Sequence, residues 1–313
     1  MHCVATAETL MATPEGGAIE PGLDALLDAQ SGPVTLMLHG FKYCPFHVPS
    51  ARDPVLRDPR QLIYADVPAS DCVRVASWPR LLDRAGPTIG ISWPGMHAGS
   101  GDWAALRGFA EVYDRAGLVA RQVARLADMI AARDPSRRID FVGHSLGGRV
   151  ALAALPHLMR AEPGRVLLWG AAERAEVARR HAAEAPGRTG IVNVRARTNA
   201  RFDTMFEMCA PGRGPALGRS EPVAGLVDLT LDDPVTEAAL AQRGITLARA
   251  PRGKCHWSFY TRQGTGALYR EILDRPGIWT DERIAALAQV ETPPSRLPAM
   301  LAALFPANRM RGA

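Results

Sequence analysis

The stretch that most constrains this chain is an apolar run, Arg138 to Gly143, entering Gly143-His144-Ser145-Leu146-Gly147, with an Ala-rich apolar stretch to Met159 behind it. A short apolar run reads as a buried strand, and the longer one as a buried helix. Between them stands the pattern G-x-S-x-G, which calls for a sharp strand-to-helix turn with Ser145 at its tip. Small residues two before and two after the serine let strand and helix approach closely. The pattern alone is weak, because glycine-rich turns with an incidental serine are common. Its placement between an apolar strand and an apolar helix gives it meaning.

The remainder follows the same rhythm. Strands are predicted at Pro33–Gly40, Thr88–Trp93, Arg165–Gly170 and Gly190–Arg197, with a last one at Ile245–Ala250. A long helix is predicted over Asp114–Asp134, where Leu118, Val119, Val123, Leu126, Met129 and Ile130 form one stripe. A closing helix is expected at Gly264–Leu273. Strands alternating with helices give an α/β architecture, a mostly parallel, doubly wound sheet. The expected organisation is an N-terminal extension over 1–32, the main domain over 33–275, and a tail over 276–313 packed on that domain. Phe41–Ser77 and Asp203–Gly244 read as long loops broken by proline, the kind that shape sites. The apolar run Leu297–Phe305 in the tail is expected to pack on the body.

Composition removes several classes. The net charge of +5 is carried almost wholly by scattered arginines, with no basic stripe interleaved with aromatics, so no nucleic-acid partner is expected. Five cysteines without a C-x-x-C pair suggest neither a zinc site nor a redox motif. Their wide spacing fits a reducing compartment. The start of the chain lacks a signal-peptide pattern, and no run approaches the ~20 apolar residues of a membrane span. The expectation is a cytoplasmic protein with no membrane partner. His97 to Asp102 is glycine-rich but lacks a Walker lysine, so no nucleotide is expected there.

A nucleophilic serine needs donors for the developing oxyanion. The N–H of Leu146 is one candidate, helped by the positive end of its helix. The N–H of Phe41, in His39-Gly40-Phe41 after the first predicted strand, is the other. The order of such a triad is serine, acid, histidine. Of the histidines after Ser145, His157 lies on the helix leaving the elbow and His181 on the helix after the next strand. Only His256, in Gly253-Lys254-Cys255-His256-Trp257, follows the last predicted strand and can return to the serine. Asp203 is the expected acid, just past the Gly190–Arg197 strand. Asp228, Asp232, Asp233 and Glu173 stay open as rivals.

These residues resemble the α/β-hydrolase superfamily. Within it the chain is similar to uncharacterised bacterial esterase- or lipase-like serine hydrolases with a Trp-Pro strand end. The matching pieces are His39-Gly40-Phe41, Ser92-Trp93-Pro94, Gly143 to Gly148, Asp203 with Phe206, and His256, which span about positions 33 to 260. The resemblance implies an eight-stranded hydrolase sheet and cleavage of an ester, thioester or amide; it implies no particular substrate. Two departures stand out. The first 32 residues leave little room for the usual opening strand pair, so a sheet shortened at that edge is expected. Only the stretch Glu173–Arg188 joins two strands where many members insert a lid, so little or no cap domain is expected.

Phe41, Trp93 and Trp257 stand near the strand tips and could line an acyl pocket. Core packing is the alternative for Trp93 and Trp257. Cys44 and Cys255 read as pocket or core residues. The leading functional reading is a carboxylesterase acting on a small-molecule acyl substrate, with no metal or organic cofactor. An acyltransferase using the same acyl-enzyme, and a non-catalytic domain of the same fold that binds a ligand or partner, are the alternatives. The oligomeric state is not readable.

Overall fold

The computed structural model describes residues 1–51, 53–97, 102–187 and 189–288, without the side chains of 102–107 and 288. The chain runs β1 (His2–Ala5), β2 (Leu10–Met11), α1 (Glu20–Ala29), β3 (Val34–Leu38), α2 (Trp78–Leu82), β4 (Thr88–Ser92), α3 (Asp102–Arg133) and β5 (Ile139–His144). It continues with α4 (Leu146–Ala154), β6 (Pro163–Trp169), α5 (Ala175–Ala183), β7 (Gly190–Arg195), α6 (Ala200–Cys209) and β8 (Val227–Thr230). It ends with α7 (Pro234–Gln242), α8 (Ser258–Thr261), α9 (Thr265–Asp274) and α10 (Asp281–Ala285). A single eight-stranded sheet has the order β2-β1-β4-β3-β5-β6-β7-β8. Only the β1–β2 pair is antiparallel.

The strands read as continuous apolar runs because both faces of the sheet are covered. Leu36 and Leu38 of β3, Phe141 of β5 and Val166 and Leu168 of β6 pack against α1, α3 and α4. Their neighbours Met37, Val142, Leu167 and Trp169 pack on the opposite side, against α2, α8, α9 and α10. This alternation makes the sheet doubly wound. The α/β expectation therefore holds, strand by strand, from β3 to β7. Among the described residues no helix is long and apolar enough to cross a membrane.

Three expectations at the margins are corrected. The sheet is not shortened at its opening edge: β1 pairs in parallel with β4, and β2 turns back along it. Four residues suffice because Cys3, Val4 and Ala5 are wholly buried. No strand forms at Ile245–Ala250; the last strand is β8, within the stretch expected to be loop. Ile245 is buried, but its segment bonds through Ala248 N–H to Gln263 O instead of joining the sheet. The long helix starts twelve residues before its predicted start, at Asp102, and Leu118 of the apolar stripe is exposed.

Between β6 and β7 stands only the short helix α5, within the described part of that link. Beyond α9, Trp279, Ile284 and Leu287 are buried in the same layer as β8. The run Leu297–Phe305 lies outside the described residues.

Candidate active site

Strand β5 delivers His144 and Ser145 to the carboxyl edge of the sheet, where sites on such sheets form. Ser145 has φ 56° and ψ −122°, a conformation that L-residues rarely adopt. The surroundings over-determine it: Ser145 N–H donates to Trp169 O at 3.0 Å, and Ser145 O accepts from Ala172 N–H at 2.9 Å. A Cβ at Gly147 would lie 1.9 Å from Leu38 O, and one at Gly143 would lie 2.4 Å from Gly147 O. Glycine is therefore required at both flanks of the turn, and the strain at Ser145 is held by tight packing.

The loop after β3 lies directly on the serine. A Cβ at Gly40 would be 2.7 Å from Ser145 Cβ and 3.3 Å from Ser145 Oγ. His39 braces this loop from behind. Its Nδ1–H donates to Gly40 O at 2.9 Å, and its Nε2 accepts from Trp93 N–H at 3.0 Å. Burial holds its pKa down at about 3, so it is a neutral strut. Among the described residues neither Phe41 N–H nor Leu146 N–H meets an acceptor. The Phe41 ring packs edge-on against Phe109 of α3, at 5.2 Å between centroids.

Trp93 is corrected from pocket to core. It is fully buried, its ring is stacked on His39 at 5.2 Å, and its Nε1–H donates to His39 O. It supports the loop after β3 and has no face left for a ligand. Trp257 is only partly buried, with its ring edge-on to Phe202 and His256 and Arg74 at 4.3 Å from its centroid.

His256 stands beside the elbow. Its ring centroid is 4.5 Å from that of His144 and 4.7 Å from Phe202, which stacks on it. His144 Nε2–H donates to His256 O at 2.8 Å, and Cys255 N–H donates to Thr198 O at 3.0 Å. The histidine loop is thus tied both to the elbow and to the segment after β7. His144 is buried and its pKa is depressed to about 4, so it donates as a neutral ring. Burial, then the neighbouring His144, pushes His256 well below the usual imidazole value, which departs from the near-neutral titration expected of a general base.

Asp203, expected to hold His256 directly, does not touch it. His256 Nδ1 is bonded to Asn199 Oδ1 at 2.7 Å, and Asn199 Nδ2–H donates to Asp203 Oδ1 at 3.0 Å. Asn199 begins the first turn of α6, with Asp203 four residues on, so both project on one face. Asp203 is buried, and a Cβ at Gly218 would lie 2.7 Å from its Oδ1, so the chain after α6 closes over it. Sequence reasoning passed over Asn199 because it sought a carboxylate; the i, i+4 pair was the visible signal.

The rival acids have other partners. Glu173 is wholly buried, accepting from Tyr113 OH and Arg149. Asp228 pairs with Arg195, and Asp233 caps α7. Asp232 accepts from the N–H groups of Arg197 and Thr198 at 2.7 and 2.8 Å, and so anchors the turn that carries Asn199. His157 and His181 are away on the turn after α4 and on α5. Among the described residues no three His, Cys, Asp or Glu side chains are grouped to hold a metal ion.

Burial raises Asp203 from an ordinary 3.8 to about 7, against the opposing pull of Arg219 and Arg195. Between those two values the folded chain binds more protons than the unfolded one. The carboxyl's contribution to stability is therefore present at low pH and is lost as pH rises through about 7. Asp203→Asn is expected to raise stability relative to wild type by about 1 to 3 kcal/mol at pH 8 and by much less at pH 5. Urea denaturation at the two pH values measures this; a difference independent of pH would contradict the burial cost.

No protein-family model matches the sequence, and no curated protein matches it. Among solved structures, the chain is similar to TT1662 from Thermus thermophilus, at 17% identity and a TM-score of 0.36, over 72% of this chain and 85% of that one. It is also similar to an acylaminoacyl peptidase from Pyrococcus horikoshii, at 9% identity and a TM-score of 0.38, over 80% of this chain and 38% of that one. A third is MenH from S. aureus, at 10% identity and a TM-score of 0.38, over 78% of this chain and 93% of that one. What gives the chain the α/β-hydrolase fold is its own doubly wound, mostly parallel sheet, with a strained serine between a central strand and its helix.

Proposed function

We propose that this protein is a serine hydrolase, a carboxylesterase acting on small or medium acyl esters through an acyl-enzyme on Ser145. The observation that carries the reading is the strained Ser145 against Gly40, with the His256 loop bonded to the preceding residue, His144. In the first step Ser145 Oγ bonds to the acyl carbon and its proton passes to His256 Nε2. The carbonyl oxygen becomes an oxyanion facing the N–H groups of Phe41 and Leu146. The alkoxide then leaves with the proton from His256. In the second step water attacks the acyl carbon with His256 taking its proton, the acyl–Oγ bond breaks as His256 returns that proton to Ser145 Oγ, and the carboxylic acid is released. Trp257 and Phe202 are suited to an apolar part of the substrate. Every step uses side chains and main-chain donors of this chain.

A fluorophosphonate probe tests the reading. Wild type is expected to be labelled and Ser145→Ala not; equal labelling of both would sink the assignment. Access to the site gives a second expectation. The described part of the β6–β7 link holds only the short α5, with no room for a large lid. Water-soluble short-chain esters should be turned over at rates that saturate smoothly with concentration. A sharp jump above the substrate's solubility limit would point to a cover that opens at an interface.

A further inference from the structure

We propose that Asn199 is the positioning residue for His256, and that Asp203 acts through it by fixing which way the Asn199 amide points. This rests on the reading of His256 as the base for Ser145. Three observations carry it. The Asn199 side chain lies between the two groups, 2.7 Å from His256 Nδ1 and 3.0 Å from Asp203 Oδ1. Asn199 stands at the N-cap of α6, where an asparagine ordinarily accepts from the first turn, yet its side chain caps nothing there. Its oxygen and its nitrogen are instead bonded to His256 and Asp203. Finally, Asn199 and Asp203 are both buried, so neither bond has water as an easy substitute.

Hydrogen-bond polarity then sets the tautomer. An ionised carboxylate only accepts, so the Asn199 NH2 must face Asp203 and its oxygen must face the ring. An amide oxygen only accepts, so His256 must carry its proton on Nδ1. Nε2 is left with a lone pair, the form a general base requires. If Asp203 takes a proton, its hydroxyl can donate to the amide oxygen, and the amide can turn to present NH2 to the ring. His256 Nδ1 must then accept, the proton moves to Nε2, and the base is lost. Two bonds reverse together, and no atom is gained or lost beyond the single proton on Asp203.

The groups facing this relay set where that happens. Arg195 of β7 and Arg219 beyond α6 favour the carboxylate, while Glu207 of α6 and burial oppose it. On the imidazole side, His144 is the titratable neighbour. With Asp203 near 7, the acid limb of kcat/KM is expected to follow Asp203, since His256 itself is held well below 6.5.

The test exchanges the two side chains. Asn199→Ala is expected to lower kcat by about 10²- to 10⁴-fold with KM changed little. Asp203→Asn leaves the amide direction unset and should fall between that variant and wild type. The exchange Asn199→Asp with Asp203→Asn keeps the polarity: the new carboxylate accepts from His256 Nδ1–H on one side and from the new amide on the other. It should recover most of the turnover lost in Asn199→Ala. A carboxylate directly against the ring should also move the acid limb. A purely structural role would not predict recovery by the exchange. Nitrogen-15 NMR of the histidines reads the tautomer without any substrate: wild type at pH 8 should hold the His256 proton on Nδ1, and Asn199→Ala should not. A His256 proton on Nε2 in wild type at pH 8 overturns the relay, even if a variant fails to fold. So does Asn199→Ala turnover within about threefold of wild type. Failure of wild type to label with the fluorophosphonate would instead remove the hydrolase reading and leave the tautomer result standing.

Discussion

Ser145→Ala is expected to fold as wild type does and to lose ester turnover by about 10⁶-fold, the scale on which triad nucleophiles act. The expectation is specific because the residue is costly to the fold. A non-glycine side chain at φ 56° carries about 1 to 3 kcal/mol of backbone strain. Alanine keeps that strain and removes only the hydroxyl. Ser145→Gly removes both, so it should be as inactive as Ser145→Ala and yet more stable than either, by about 1 kcal/mol. Ester turnover with urea denaturation of the three proteins decides the matter. An alanine variant within tenfold of wild-type turnover would remove Ser145 from the chemistry. A glycine variant no more stable than the others would mean that the turn does not store strain.

The same tension appears at Asp203. Burial resists its ionisation, whereas the proposed relay to His256 would need the carboxylate. A chain selected only for stability would place a neutral residue there. Costs of this kind, at Ser145 and Asp203 together, are what the proposed function would lead one to expect of a site where sequence serves chemistry before folding.

How much of this was legible depended on whether the signal was local. The strand, elbow and helix around Ser145 are contiguous, and so were read with their boundaries nearly right. His256 was expected near the elbow through chain order, also a property of the linear sequence, and it lies beside His144. β1 was missed because His2–Ala5 is too short for a periodic signal; what makes it a strand is the parallel edge of β4, about ninety residues on. The choice between Val227–Thr230 and Ile245–Ala250 was likewise made by the free edge of β7. Both segments are short and only partly apolar, and only one lies where that edge can pair with it. Trp93 read as a pocket residue because it sits at a strand tip. Its burial is decided by His39, which stacks on it from another strand's loop. Asn199 was legible only as the i, i+4 neighbour of Asp203, for a different reason. A neutral amide has no charge to mark it as a triad partner, and only the geometry puts it between a ring and a carboxylate.

Gly147→Ala is expected to destabilise the fold by more than about 4 kcal/mol, beyond the ordinary range of single substitutions. Its Cβ would lie 1.9 Å from Leu38 O and 2.7 Å from His39 O, so backbone must move on one side or the other. Neither side can give easily. Leu38 is held in β3 between β4 and β5, and Gly147 sits in the first turn of α4. Gly212→Ala supplies the contrast. Gly212 has φ 87°, but a Cβ added there would meet nothing within 4 Å, so only the conformational cost of about 1 to 2 kcal/mol applies. Urea midpoints of the two variants separate steric collision from backbone preference. If Gly147→Ala unfolds close to Gly212→Ala, then β3 and α4 are not locked together. If it unfolds far earlier, Gly147 is where the loop bearing Gly40 and Phe41 is fastened to the elbow bearing Ser145. The proposed oxyanion donors, Phe41 N–H from one element and Leu146 N–H from the other, would then keep their spacing because no side chain separates the two backbones.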